Sequence, residues 1–359
     1  MQYLRTFSAK SFLPVLLFFL FAGCSKKDQV KLSAEAAITS FNFHPGTDMV
    51  NIQSGLHLVN LQVPDSVVSG NNLTANFSLS GGANATIGQV PQESGVTKND
   101  FDQDVIYTVT AADRITQQPW TVRVTNNDYS INWGLGHFIQ KSLSSDLNYE
   151  WYTDQGSSGT YAAFNCGPAS VTMAIKWADP GFTKTAQDAR QIYRSDGGWW
   201  YTSDIDNYLS ANNIPHAIIP LSGSAAETGN ILTHQLDNHQ IVILCIDMDK
   251  IRRSTDSSYR VDKFYNTSPG WGHFFVVKGY RVTDGELFFQ IYDPYSLGLT
   301  YPDDSFRGKN RYYRSGDVAA AADPWWNNAF VIARKGETVN LNAGIQALDP
   351  AMIRHARGL

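Results

Sequence analysis

The hydrophobic period of this 359-residue chain changes near residue 126, and that change limits what each part can fold into. Before it, apolar and polar residues alternate. Trp120, Val122 and Val124 stand against Thr121, Arg123 and Thr125; Val105, Tyr107 and Val109 stand against Ile106, Thr108 and Thr110. Such alternation marks strands buried on one face. Ile38–Phe43 and residues 57–64 and 72–80 are further strand candidates, punctuated by Gly, Asn and Ser clusters such as Ser69-Gly70-Asn71-Asn72. A β-sandwich over 36–126 is expected. Past Asn126-Asn127-Asp128 the composition shifts, and eight of the nine tryptophans lie there. Segments with helical spacing (168–177, 186–193, 203–211, 227–236) precede apolar strand-like runs (241–246, 273–282, 287–293, 329–333). Helices first and strands later predict an α+β unit over 127–336 rather than a doubly wound sheet. Residues 337–359 read as a tail.

The first residues belong to neither unit. Arg5 and Lys10 precede an apolar run, residues 12–22, broken only by Pro14. It is shorter than the roughly 20 residues a membrane-crossing helix needs and reads as a secretory signal. Phe21-Ala22-Gly23-Cys24 resembles the lipobox of bacterial lipoproteins. The resemblance implies a signal peptide over 1–23, acylation of Cys24, a lipidated tether over 24–35, and a chain anchored in the bacterial cell envelope, at the outer membrane. The strand pair 105–111 and 120–125 is similar to the immunoglobulin-like modules that follow the anchor in Bacteroidetes-type surface lipoproteins. That likeness implies a spacer or binding module and carries no fixed site residues.

The chain's 28 basic and 33 acidic residues give a net charge of −5, which leaves no electrostatic footprint for nucleic acid. Three cysteines do not make a disulfide framework, so each needs its own explanation. Cys245 falls inside the apolar run 241–246 and reads as a core residue. Cys166 is placed differently. Asn165-Cys166-Gly167-Pro168 opens an apolar helix with proline in its first turn, where a missing N–H costs little. A sulfur at a helix N-terminus is stabilised as thiolate by the dipole and the unpaired N–H groups, which can also hold an oxyanion. A nucleophilic thiol needs a base, and a base needs an orienting partner. His273 follows the turn-rich Thr267-Ser268-Pro269-Gly270-Trp271-Gly272 and begins a strand. If Thr283-Asp284-Gly285 is the loop to the next strand, Asp293 lies opposite Phe275 and diagonal to His273 on one face. A one-residue slip would turn the carboxylate away.

Cys166-Gly167-Pro168-Ala169-Ser170, Gly272-His273 and Asp293-Pro294 together resemble papain-fold cysteine peptidases, most closely the branch of bacteriocin-processing (double-glycine leader) peptidases. The resemblance spans about 145–335. It implies a papain-like fold, no cofactor or metal, a peptide or protein substrate, and peptide (or isopeptide or amide) hydrolysis through a thioester. In it Cys166 is the nucleophile, His273 the base and acid, and Asp293 the orienting acid. One part departs from the pattern: Thr160 occupies the usual position of the oxyanion glutamine. Gln155, or else the amide of Asn165, is expected to substitute. Trp271, beside His273, is the expected substrate contact, and Trp325-Trp326 are expected to pack the last strand. A catalytically inactive papain-fold binding lipoprotein and a transglutaminase-like acyl transferase are the alternatives. The sequence leaves oligomeric state open.

Overall fold

The computed structural model describes residues 31–43, 46–127, 131–222, 224–323 and 325–341. The expected signal segment, Cys24 with the first part of the expected tether, and the part of the expected tail beyond Leu341 lie outside the described residues.

Among the described residues nine strands precede residue 126: β1 (Ile38–Phe43), β2 (Met49–Gln53), β3 (Leu58–Gln62), β4 (Leu73–Leu79), β5 (Asn84–Ile87), β6 (Val90–Pro91), β7 (Lys98–Asn99), β8 (Val105–Thr110) and β9 (Gln117–Thr125). They form a three-stranded sheet, β1-β4-β7, and a six-stranded sheet, β2-β3-β9-β8-β5-β6. The alternation in the sequence is the alternation in burial: Trp120, Val122 and Val124 of β9 and Val105, Tyr107 and Val109 of β8 face inward. With Phe41, Phe43, Val59 and Leu61 they make one core shared by both sheets.

The second unit contains β10 (Ile139–Ser144), α1 (Cys166–Ala178), α2 (Ala186–Ile192), α3 (Thr202–Ala211), β11 (His216–Pro220), α4 (Ala225–Asp237), β12 (Ile241–Asp247), β13 (Gly272–Thr283), β14 (Glu286–Tyr292), β15 (Arg311–Arg314), α5 (Ser315–Ala322) and β16 (Asn328–Ile332). Its sheet runs β11-β16-β12-β13-β14-β15, with β10 also pairing β13. The strand pairs are antiparallel throughout. β12 is buried at every residue because helices cover both faces. Ile241, Ile243 and Cys245 pack with Val171 and Ile175 of α1 and Ile205 and Leu209 of α3. Val242, Leu244 and Ile246 pack with Leu232 and Leu236 of α4 and Val318 of α5. A strand covered on both sides reads as an unbroken apolar run.

The β13–β14 hairpin differs in detail from the expected one. The turn holds two residues, Asp284 and Gly285, both at positive φ, and Thr283 pairs with Glu286. Asn-Gly and Asp-Gly favour such tight turns. That turn alone would place Asp293 opposite Val276, on the wrong face. A one-residue bulge at Lys278, between Val277 and Gly279, restores the register, so that Val276 pairs with Tyr292. Continued by one residue, this puts Asp293 opposite Phe275.

The two units meet beside this turn. Phe138 is fully buried in the core of the first unit. Its backbone N–H and that of His137 donate to the Asp284 carboxylate at 2.8 and 2.6 Å. Asn126 exchanges hydrogen bonds with Ile139 at 2.8 and 2.9 Å. At the other end, the start of the expected tail is docked: Asn340 N–H donates to Gln240 at 2.8 Å.

Candidate active site

Cys166 is the first residue of α1, a helix buried at every position but Lys176. Asn165 does not cap it with its side chain, which leaves the first-turn N–H groups for the sulfur. Burial opposes the thiolate. It is outweighed by a hydrogen bond and positive charge from His273, and by the N–H groups of Phe274 and Gly167, so the thiol is held below its ordinary range.

His273 lies at the start of β13 and is buried. Its Nε2 bonds Asp293 Oδ1 at 2.7 Å, which leaves Nδ1 to address the sulfur. Burial disfavours the imidazolium, but the Asp293 charge and the bonds to Asp293 and Cys166 overcome it and raise its pKa. Asp293 is fully buried. Its Oδ2 accepts from Tyr265 at 2.8 Å and Tyr313 at 2.5 Å, and its Oδ1 also accepts from the Tyr295 N–H at 2.9 Å. Burial pushes this carboxyl up; His273 and these donors more than compensate and hold it below the usual carboxylate range. All three shifts run in the direction that favours a thiolate–imidazolium pair backed by an ionised carboxylate.

The two expected oxyanion donors fare differently. The Asn165 amide is consumed: its Nδ2 donates to Ser158 O and Oγ at 3.0 and 2.9 Å, and its Oδ1 accepts from Arg190 at 2.8 Å. Asn165 is therefore a brace for the preceding loop rather than a donor to the site. Gln155 is buried, its backbone N–H bonds Pro294 O at 2.8 Å, and its Nε2 has one acceptor, Ala162 O, at 3.1 Å. It is thereby pinned between the loop after Asp293 and the loop before Cys166, with one amide proton to spare.

Arg190 carries no motif and was not singled out by sequence. It is fully buried and donates to Asn165 Oδ1, Phe164 O at 2.9 Å, Gly198 O at 3.0 Å and Arg194 O at 3.3 Å. Arg194 takes the nearby Asp204 carboxylate at 2.6 Å, so the Arg190 guanidinium touches no carboxylate. It ties the loop before Cys166 to the loop leading into Trp199 and Trp200.

A cavity of about 610 Å³ opens beside Cys166. Trp199, Trp200, Tyr201, Trp271, Phe274 and Trp325 form its aromatic wall. Trp271 therefore stands where sequence expected a substrate contact. Trp326 packs on Phe330 of β16 at 5.0 Å and also borders the cavity, as does Trp325. Cys245 also borders it; burial raises its thiol pKa well above the ordinary value, and it is a free cysteine like Cys166. Among the described residues no His, Cys, Asp or Glu cluster is arranged to hold a metal ion. No described helix is long and apolar enough to cross a membrane.

Residues 38–124 match the model of the N-terminal domain of surface glycan-binding proteins. No curated protein matches the chain. Among solved structures, a proposed C39-like peptidase of Bacillus anthracis is 13% identical, with a TM-score of 0.33, covering 55% of this chain and 100% of its own. A proposed glycoside hydrolase of Bacteroides thetaiotaomicron is 18% identical, with a TM-score of 0.22, covering 84% of this chain and 96% of its own. At these scores neither carries an argument about activity.

Proposed function

We propose that the second unit is a papain-like thiol hydrolase acting on peptide, isopeptide or amide bonds, carried on an envelope lipoprotein. The observation that carries this reading is the buried relay: His273 bonds Asp293 at 2.7 Å on one side and interacts with the Cys166 sulfur at a helix N-terminus on the other. In the first half-reaction the Cys166 thiolate adds to the substrate carbonyl carbon and a C–S bond forms. The oxyanion is held by N–H groups at the start of α1 and by the Gln155 amide. As the C–N bond breaks, His273 passes its proton to the leaving amine. Water, deprotonated by His273, then attacks the thioester, releases a carboxylic acid and restores the thiol. The N-terminal unit is read as an immunoglobulin-like spacer after acylated Cys24.

A second reading has one observation in its favour. The match of residues 38–124 to surface glycan-binding proteins fits a binding lipoprotein whose papain-like unit grips a ligand without cleaving it. Peptide hydrolysis by the native protein, Cys166→Ala and His273→Ala separates the two. Hydrolysis by the native protein, lost in both variants while folding is kept, supports the hydrolase. Undiminished hydrolysis by Cys166→Ala refutes the mechanism, and ligand binding with no turnover favours the second reading.

A further inference from the structure

We propose that the substrate presents a bulky uncharged side chain, aromatic or large aliphatic, within two residues of the bond cleaved, and that Trp325 selects it. This rests on the hydrolase reading above and concerns the same cavity.

Two glycines adjoin the nucleophile and the base, and neither is required by its backbone. Gly167 and Gly272 are absent from the positive-φ positions. A Cβ on Gly272 would lie 2.1 Å from the Trp325 ring, and a Cβ on Gly167 would lie 2.7 Å from the Trp200 Cβ. What these glycines provide is the seat of a tryptophan. The aromatic wall is thus built against the same backbone that carries Cys166 and His273. A substrate side chain in the cavity is consequently held in fixed relation to the reacting sulfur.

The wall is only partly satisfied by the protein itself. Trp200 is buried, but Trp325 is 45% exposed and Trp199 is 53% exposed. Trp325 is tethered on one edge by Gly272 and by a hydrogen bond with the Cys245 sulfur. Its remaining surface is a flat apolar face of the kind that gains most from burying another apolar group. No residue lining the cavity bears a carboxylate, amine or guanidinium. A charged side chain entering it would lose hydration with no partner beyond the Cys166 sulfur, which His273 already pairs. A glycine would leave the space unfilled. A sugar ring could stack on Trp325, but its hydroxyls would find few lining side chains able to bond them, chiefly Tyr201, Thr202 and Ser268. The wall therefore favours a peptide side chain over a glycan.

The test is digestion of a randomised peptide library by the full chain, with cut sites read by mass spectrometry, for the native protein, Trp325→Ala and Trp325→Phe. Iodoacetamide labelling of Cys166 in each protein reports whether the site is intact. The expected result is enrichment of aromatic and large aliphatic residues within two positions of the cut, about tenfold or more over Asp, Glu and Lys. Trp325→Ala is expected to raise KM for such peptides about tenfold and to change cleavage of glycine-flanked ones far less; Trp325→Phe keeps the preference. Cleavage without side-chain preference, an unchanged preference in Trp325→Ala, or cleavage confined to glycosylated peptides would overturn the proposal and leave the hydrolase reading standing. No cleavage of any peptide, with Cys166 no more reactive than Cys245, counts against that reading, and the proposal falls with it.

Discussion

At the scale of single residues, the groups around Cys166, His273 and Asp293 do as much to define the site as the three themselves. Arg190 uses a planar fork that lysine lacks, and its partners are carbonyl and amide oxygens on two loops. Arg190→Lys is expected to keep the charge and lose the brace, lowering kcat/KM at least tenfold and stability by about 1–3 kcal/mol. Peptide kinetics alongside thermal unfolding check this; unchanged kinetics would remove Arg190 from the site. Asp293 makes a pH prediction whose sign is fixed. Its carboxyl is held below the ordinary value of 3.8, so the folded chain binds that proton less readily than the unfolded chain. The resulting stability is present above about pH 4 and is lost as pH falls through the lowered value. Tyr313→Phe removes one donor to Asp293 and lets its folded-state carboxyl rise toward the ordinary value, so the acid-side fall in Tm is expected to be smaller and to end at a higher pH. A Tm profile superimposable on that of the native protein would show that the Tyr313 bond does not hold the carboxylate ionised.

At the scale of elements, tight packing at the helix start makes Gly167 costly to replace. Gly167→Ala is expected to destabilise by about 1–3 kcal/mol and slow Cys166 alkylation, because its new methyl meets Trp200. Gly316→Ala, in α5 with open space around it, is expected to stabilise by up to about 1 kcal/mol. Denaturant unfolding of both variants reads the contrast. The same elements show what the sequence could disclose. The N-terminal alternation and the opening of α1 were legible because burial there follows a single period. β15 was not: Arg311 is fully buried and spends its guanidinium on Asp262 O and Val261 O, so no apolar pattern announces the strand. β11 was hidden because it is a half-exposed edge ending in Pro220. The placement of Asp293 was foreseen, but through a three-residue loop; a two-residue turn and the Lys278 bulge give the same facing by another route. The position of Gln155 depends on two short 3-10 turns, Gln155–Ser157 and Ala162–Phe164, whose folding back leaves no periodic mark.

At the scale of the whole molecule, the Asp284-Gly285 turn belongs to the strand pair carrying His273, and it also receives the segment that leaves the N-terminal core through Phe138. Asp284→Gly keeps a residue tolerant of positive φ but leaves two backbone N–H groups without their acceptor. A loss of about 1–3 kcal/mol is expected, with faster proteolysis between residues 126 and 139. A proteolysis rate equal to that of the native chain would show the junction to be held by other contacts. The junction leaves no mark in the sequence because Phe138 lies in a short segment whose buried side faces the other unit. The whole proposal nevertheless turns on one ionisation, and the most direct measurement is the pH dependence of iodoacetamide alkylation at Cys166, followed by mass spectrometry with Cys245 as internal reference. The expected result is a Cys166 rate that reaches its plateau at a lower pH than an ordinary thiol's, collapsing in His273→Ala, with Cys245 unreactive throughout. A Cys166 rate that climbs only toward an ordinary thiol value of 9.0, unaffected by His273→Ala, would contradict the thiolate–imidazolium pair.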